Sequence, residues 1–214
     1  MNIPVINWKF LIVYNPDTIA AIATPLGTGG VGIIRVSGPS ARDIARRIFQ
    51  PAQKNCSWKS HHLFHGDLLA ADGKTILDEV LISLMHKPHS FTGEDVLEIN
   101  CHGSPLIMQT ILAQLVEMGC RLAAPGEFSQ RAFFNNRLDL AQAEALAGIV
   151  AARSEKSSAI ALAQLKGALS RELEYLRLLL IEALAILEVA IDFLVSPFLV
   201  SDDLDCDHFC ALFM

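Results

Sequence analysis

Nine aliphatic residues, Leu162, Leu165, Leu169, Leu173, Leu176, Leu180, Leu184, Leu187 and Ile191, recur at spacings of 3, 4, 4, 3, 4, 4, 3 and 4. Only a helix gathers such positions into one stripe, so the pattern predicts a long helical segment from about Ser154 to Phe193. The underlying eleven-residue repeat suits a nearly straight rod or a slight right-handed supercoil. Its lower half is apolar on more than one face, at Leu178 to Ile181 and Ala183 to Leu187. Such a helix wants cover on several sides, which two helices cannot supply, so a further segment or a second subunit is implied. The apolar run continues from Leu178 to Val200 but carries Glu182, Glu188 and Asp192. Three carboxylates make membrane insertion costly, and no membrane association is expected.

The front of the chain follows a different rhythm. Thr18 to Thr24 and Val31 to Ser37 read as strands joined by Leu26-Gly27-Thr28-Gly29-Gly30, and Gly38-Pro39 is expected to open a helix with Pro at its first position. Residues 50–60 read as loop. Leu63 to Ala70 and Thr75 to Leu84 form an expected hairpin around Asp72-Gly73. Asp95 to Cys101 is the next strand. Ser104-Pro105 then starts a helix with Ile107, Ile111, Leu115 and Met118 on one face and Gly119 as its stop. From about Pro125 the pattern is all helix, and Asp139 with Gln142 three residues on gives a capping-box-like start. The expected class is α+β: a mixed strand and helix domain over 17–124, a partial helical domain over 125–193, and atypical ends at 1–16 and 194–214.

The densest chemistry lies in Ser90-Phe91-Thr92-Gly93-Glu94-Asp95-Val96-Leu97-Glu98-Ile99, followed by Cys101-His102-Gly103. A carboxylate on a half-buried strand needs a cationic or hydrogen-bond-donating partner. By alternation Glu98 shares a face with Val96 and Asn100, and Arg35 shares one with Ile33 and Ser37. Spacing alone leaves two readings level: a surface ion pair of small energetic worth, or a pair that binds a ligand with an anionic tail and an amide-like edge. Arg131 and Arg137 flank Phe133-Phe134-Asn135-Asn136, and a solvated linker with two aromatic anchors is the favoured reading there.

Other chemistries are disfavoured. Gly27-Thr28-Gly29-Gly30-Val31-Gly32 fits G-x-G-x-x-G literally, but a strand-like run follows where dinucleotide binding requires a helix. No G-x-x-x-x-G-K-[ST] run occurs. His61, His62, His65 and His102 lack usual metal-ligand spacing, and Cys206 and Cys210 in the tail read as inert. Five Cys without a C-x-x-C pair suit a reduced, cytoplasmic compartment. A net charge of −6 argues against broad electrostatic binding of nucleic acid, though a local basic patch stays compatible. Met1 to Tyr14 makes a poor signal peptide.

Asp17-Thr18-Ile19-Ala20-Ala21-Ile22-Ala23-Thr24-Pro25 and Gly29-Gly30-Val31-Gly32-Ile33-Ile34-Arg35-Val36-Ser37-Gly38 resemble the start of the bacterial tRNA-modification GTPase family called MnmE or TrmE. Ser90 to Glu98 with His102-Gly103 is similar to that family's next block. Pro125 to Phe133 and Leu138 to Ala145 are similar to its junction with a helical domain, and the likeness runs to Ala190-Ile191-Asp192-Phe193.

The resemblance implies a domain that forms homodimers and binds 5-formyltetrahydrofolate, followed by the first part of a helical domain. In the family a GTPase module, using GTP, Mg and K, is inserted into the helical domain. The family modifies the wobble uridine of certain tRNAs at C5 with a flavoprotein partner, MnmG or GidA, so contact with tRNA is expected to be indirect. Its folate contacts carry over onto Arg35, Glu98 and Arg137; no catalytic residue and no metal ligand carries over. The missing P-loop and the missing C-terminal Cys-x-Gly-Lys are departures, as is Leu194 to Val200 where acidic residues are usual. A truncated or frameshifted member without GTPase activity of its own is therefore expected. Two alternatives stay open. One is a dimerising scaffold that binds no folate. The other is a folate-dependent one-carbon transferase, for which His102 is the candidate base although a turn-capping role suits it better.

Overall fold

The computed structural model describes residues 17–25, 27–53 and 57–195, which divide between Glu144 and Ala145 into two compact units. Met1 to Tyr14, Pro197 to Val200, Cys206 and Cys210 lie outside the described residues. In the first unit the elements run β1 (Ile19–Ile22), β2 (Val31–Ser37), α1 (Ala41–Ile48), β3 (Phe49–Pro51), β4 (Leu63–Leu69), β5 (Ile76–Met85), β6 (Val96–His102), α2 (Pro105–Glu117), β7 (Arg121–Leu122) and α3 (Glu127–Phe134). Helix α4 (Leu140–Ala151) spans the division; α5 (Glu155–Leu165) and α6 (Ala168–Val195) belong to the second unit. The class is α+β, as the sequence predicts.

Period-two alternation builds one seven-stranded sheet in the order β3-β4-β5-β6-β2-β1-β7, antiparallel except where β7 joins β1. On β5, buried Val80, Ile82 and Leu84 alternate with outward residues; Ile34 and Val36 on β2, and Leu97 and Ile99 on β6, continue the same buried face. Helix α1 adds Ile44 and Ile48, and α2 adds Met108, Ile111 and Leu115. Each such aliphatic side chain contributes about 1.5–3 kcal/mol on burial. The core therefore lies on one side of the sheet. The opposite face stays open around Val31, Leu63 and Leu81, which are 61%, 64% and 42% exposed.

The expected hairpin is present: Ala70 N–H donates to Thr75 O at 2.7 Å, and the Asp72 carboxylate accepts from the Lys74 and Thr75 N–H groups at 2.9 Å. Helix α2 starts at Pro105 and gives way at Gly119, also as expected. Four expectations need correction. Helix α1 begins at Ala41, not at Gly38-Pro39. Gly38 at φ +136° turns the chain while its N–H donates to Asp95 O at 3.0 Å, and Ser40 N–H is taken by Thr18 Oγ1 at 3.0 Å. Within the expected loop, Phe49–Pro51 forms edge strand β3 on β4, because burying the Phe49 ring against Trp58, 5.9 Å between centroids, draws the chain along the sheet. Pro51 is tolerated there because an edge needs no further donor. The two-residue strand β7 carries too little pattern to be legible.

The fourth correction concerns the long helix. Ser154 does cap it, with Ser154 and Ser157 each accepting from the other's backbone N–H. The rod then breaks at Lys166-Gly167, where Gly167 sits at φ +82°. That left-handed conformation ends α5, and the leucine stripe resumes on α6. Leu173, Leu176, Leu180, Leu184 and Leu187 of α6 are all exposed. No helix among the described residues is long and apolar enough to cross a membrane.

Candidate functional site

Register places Arg35 of β2 directly opposite Glu98 of β6, on the face away from α1 and α2. Arg35 Nε donates to Glu98 Oε1 at 2.8 Å, and Nη2 lies 2.6 Å from the same oxygen. Glu98 Oε2 has no hydrogen-bond partner among the described residues. The Arg35 guanidinium also stands 5.5 Å from the Phe91 ring centroid and 5.7 Å from that of Phe128. A cation over aromatic faces gains about 0.5–2 kcal/mol each, more as water is excluded. The side chains are 29% and 23% exposed. The pair is thus fixed from several sides yet keeps one carboxylate oxygen open.

Arg137 reaches the same region by another route. Its Nε donates to Ser90 O at 3.0 Å, and Asn135 Nδ2 donates to Thr92 O at 2.7 Å. The Ser90–Glu94 loop is therefore the seam: Phe91 touches Arg35, and Ser90 holds Arg137. Gly93 makes this approach possible. It sits at φ +78°, and a Cβ there would lie 2.9 Å from Asn135 Cβ and 3.2 Å from Arg137 Cγ. Gly93→Ala is expected to cost about 2 kcal/mol from left-handed strain plus overpacking. Urea denaturation checks this, and an unchanged midpoint would mean that the seam is looser than described.

Beneath the seam lies a group that the sequence reading misplaced. Arg131 sits on α3 and is 2% exposed, so the favoured solvated linker is corrected to a buried ion cluster. Its Nη2 reaches Glu127 Oε1 at 3.0 Å and Asp17 Oδ1, while Nη1 reaches Glu94 Oε2 at 3.1 Å and Asp17 O at 2.7 Å. Arg121 adds a second cation, with Nη2 2.6 Å from Glu127 Oε1. The Arg121 hydrogen bond holds Glu127 down at about 2 and is also the leading cause of the lowered Asp17 value. Glu94 goes the other way: burial raises its pKa despite Arg131, and Ser37 Oγ donates to it at 2.6 Å. The Glu127/Arg131 spacing of four residues was the available signal, since it puts both on one helix face. Nothing local in sequence pairs Phe91 or Phe128 with Arg35.

His102 is tied to Asp78. Asp78 is buried and accepts from the His102 backbone N–H at 2.8 Å, and its other oxygen lies 2.6 Å from His102 Nδ1. The imidazole thus bonds the Asp78 carboxylate rather than the backbone of the turn at Gly103. Two and four residues past Glu98 on the open face, Asn100 and His102 border a cleft of about 510 Å³ with Leu63, His65 and Leu81. Cys101 and Cys120 are free and buried, and burial pushes the Cys120 thiol up to about 11.

These features define an α+β module with a fixed Arg–Glu pair on an open sheet face, leading into a helical unit. Residues 18–137 match the family model described as GTP-binding protein TrmE N-terminus, and residues 140–204 match that of the MnmE helical domain. The chain belongs to the TrmE/MnmE family. It is 48% identical over 177 residues to the tRNA modification GTPase MnmE of Desulfotalea psychrophila, covering 83% of this chain and 38% of that protein. It is 50% identical over 177 residues to MnmE of Chloroflexus aurantiacus, with coverages of 83% and 39%. With MnmE of Syntrophobacter fumaroxidans it shares 45% identity over 196 residues, with coverages of 92% and 40%. The chain thus spans about two fifths of the length of these relatives.

Proposed function

We propose that this chain is the folate-binding, dimer-forming N-terminal portion of a cytoplasmic GTPase system that modifies tRNA wobble uridine at C5. Its 17–124 domain binds 5-formyltetrahydrofolate at a contact between two copies, and 125–193 supplies the first helices of the helical domain. The flavoprotein MnmG/GidA is the partner that brings tRNA. GTP, Mg and K belong to the family's GTPase module; residues 1–214 contain no G-x-x-x-x-G-K-[ST] run and are expected to hydrolyse no GTP on their own.

One observation carries the reading: Arg35, Glu98 and Arg137, far apart in sequence, gather around the single loop Ser90–Glu94. Glu98 Oε2 is open to the amine and ring N–H of a pterin, a pairing of two donors with a carboxylate. Arg35 holds the Glu98 carboxylate in place through Oε1. Arg137 is exposed, and its terminal nitrogens suit the folate carboxylates. Exposed Val31, Leu63 and Leu81 on the same face give a second copy an apolar surface to cover.

Calorimetric titration of the full chain with 5-formyltetrahydrofolate tests this, alongside a GTP turnover assay. Saturable binding by a dimer, with no turnover, is the expected result. A folded dimer that takes up no ligand, or a chain that hydrolyses GTP, would refute the proposal.

A further inference from the structure

Past the ends of β5 and β6, next to the Ser90–Glu94 loop, one edge of the first unit collects cations that have no ion-pair partner among the described residues. A closed circuit of contacts holds it together. Arg42 of α1 pairs with buried Asp95 at 2.7 Å, and the Lys87 N–H donates to the same Asp95 oxygen at 2.9 Å. One residue earlier, the His86 N–H donates to Ser60 Oγ at 3.0 Å; Ser60 Oγ also bonds His61 Nδ1 at 2.7 Å, and Ser60 O bonds His62 Nδ1 at 3.0 Å. Lys59 precedes Ser60, and Trp58 packs 5.9 Å from Phe49, which directly follows the end of α1. Arg46 and Arg47 occupy that end, with Arg46 one turn beyond Arg42 on the same face.

Arg46, Arg47, Lys59 and Lys87 are exposed, as are His61, His62 and His89. Across segments 41–49, 57–62 and 86–89 the only carboxylate is Asp43, and Asp95 is already occupied by Arg42 and the Lys87 N–H. A chain with 23 acidic and 17 basic residues thus places on one rim four cations without an ion-pair partner among the described residues, together with several imidazoles. Like charges gathered on one rim repel one another, and an anion shared between them relieves that repulsion. Trp58, the large apolar side chain of the rim, is turned inward onto Phe49 and Phe64, which leaves no apolar wedge for a lipid surface.

We propose that this rim binds the phosphate backbone of a nucleic acid directly, independently of the folate reading. Arg and Lys side chains spread over three segments can each neutralise a phosphate, and the imidazoles add hydrogen bonds to sugar and phosphate oxygens. Contacts of this kind position a duplex without reading its sequence.

Fluorescence anisotropy of the full chain with a labelled RNA stem-loop and a DNA hairpin, across a KCl series, tests the proposal. Four neutralised phosphates give a slope of log affinity against log salt of about −3.6 on a duplex. The variant R46Q/R47Q/K59Q/K87Q is expected to bind at least about tenfold more weakly and to lose most of that slope. Its thermal melt and its 5-formyltetrahydrofolate titration should match those of the parent chain, because Arg35, Glu98 and Arg137 are untouched. Tighter binding of the RNA than of the DNA identifies RNA as the source of the backbone. Equal binding by parent and variant, a slope flatter than about −1, or binding confined to phosphatidylserine vesicles would overturn the proposal.

Discussion

Arg131→Ala is expected to cost about 3–5 kcal/mol, the largest loss for a single change in the first unit, as for other buried ion clusters that lose one partner. The guanidinium is almost fully enclosed and ties Asp17, Glu94 and Glu127 together. Without it Glu94 loses its cation at a largely buried position, so that its desolvation becomes a net penalty, while Asp17 and Glu127 keep only Arg121. Arg131→Lys restores the charge but not the planar fork that serves several acceptors at once, so it should recover only part of the loss. Urea denaturation of the full chain measures both. A drop below about 1 kcal/mol for Arg131→Ala would mean that the cluster is mere surface chemistry.

The pH dependence has a definite sign. Glu127 and Asp17 have folded-state values below the ordinary carboxylate range. Their stabilisation is present above that range and is lost as pH falls toward about 2, the Glu127 value. Burial-raised Glu94 acts oppositely, withdrawing stability as pH rises out of the ordinary carboxylate range. Removing Arg131 increases that Glu94 penalty. The destabilisation by Arg131→Ala should therefore be larger at neutral pH than at about pH 4, in the ordinary carboxylate range. Equal losses at both would contradict the assigned roles.

The second large effect concerns binding. Glu98→Ala should weaken 5-formyltetrahydrofolate binding by about 100-fold or more, since truncating a charge-assisted partner costs 2–5 kcal/mol. Glu98→Gln keeps one acceptor and should fall between, near tenfold. Stability should change by less than about 1 kcal/mol in either variant, because the Arg35–Glu98 pair is partly solvated and Arg35 retains Phe91 and Phe128. Calorimetry on the folded variants reads this. Affinity of Glu98→Ala within about threefold of the parent would remove the carboxylate from the site.

What was legible in the sequence follows periodicity. The strands of the hairpin and the faces of β2 and β6 came through because alternation and turn residues speak locally. The placement of Arg35 opposite Glu98 could not be read, since pairing depends on register between strands separated by 63 positions. Arg131 was misplaced for a related reason: its partners come from residue 17, the loop at 94 and its own helix. Gly167 shows the converse failure. The leucine stripe runs through it without a break in spacing, yet one residue in a left-handed conformation divides the rod.

The question on which the rest turns is where a pterin sits. A crystal structure of the full chain grown with 5-formyltetrahydrofolate answers it most directly. The expected density has the pterin's donors on Glu98 Oε2, a carboxylate beside Arg137, and another copy of the chain closing over the exposed strands. Ligand lodged only in the cleft past Asn100, or absent from a face left bare in the crystal, would contradict the assignment.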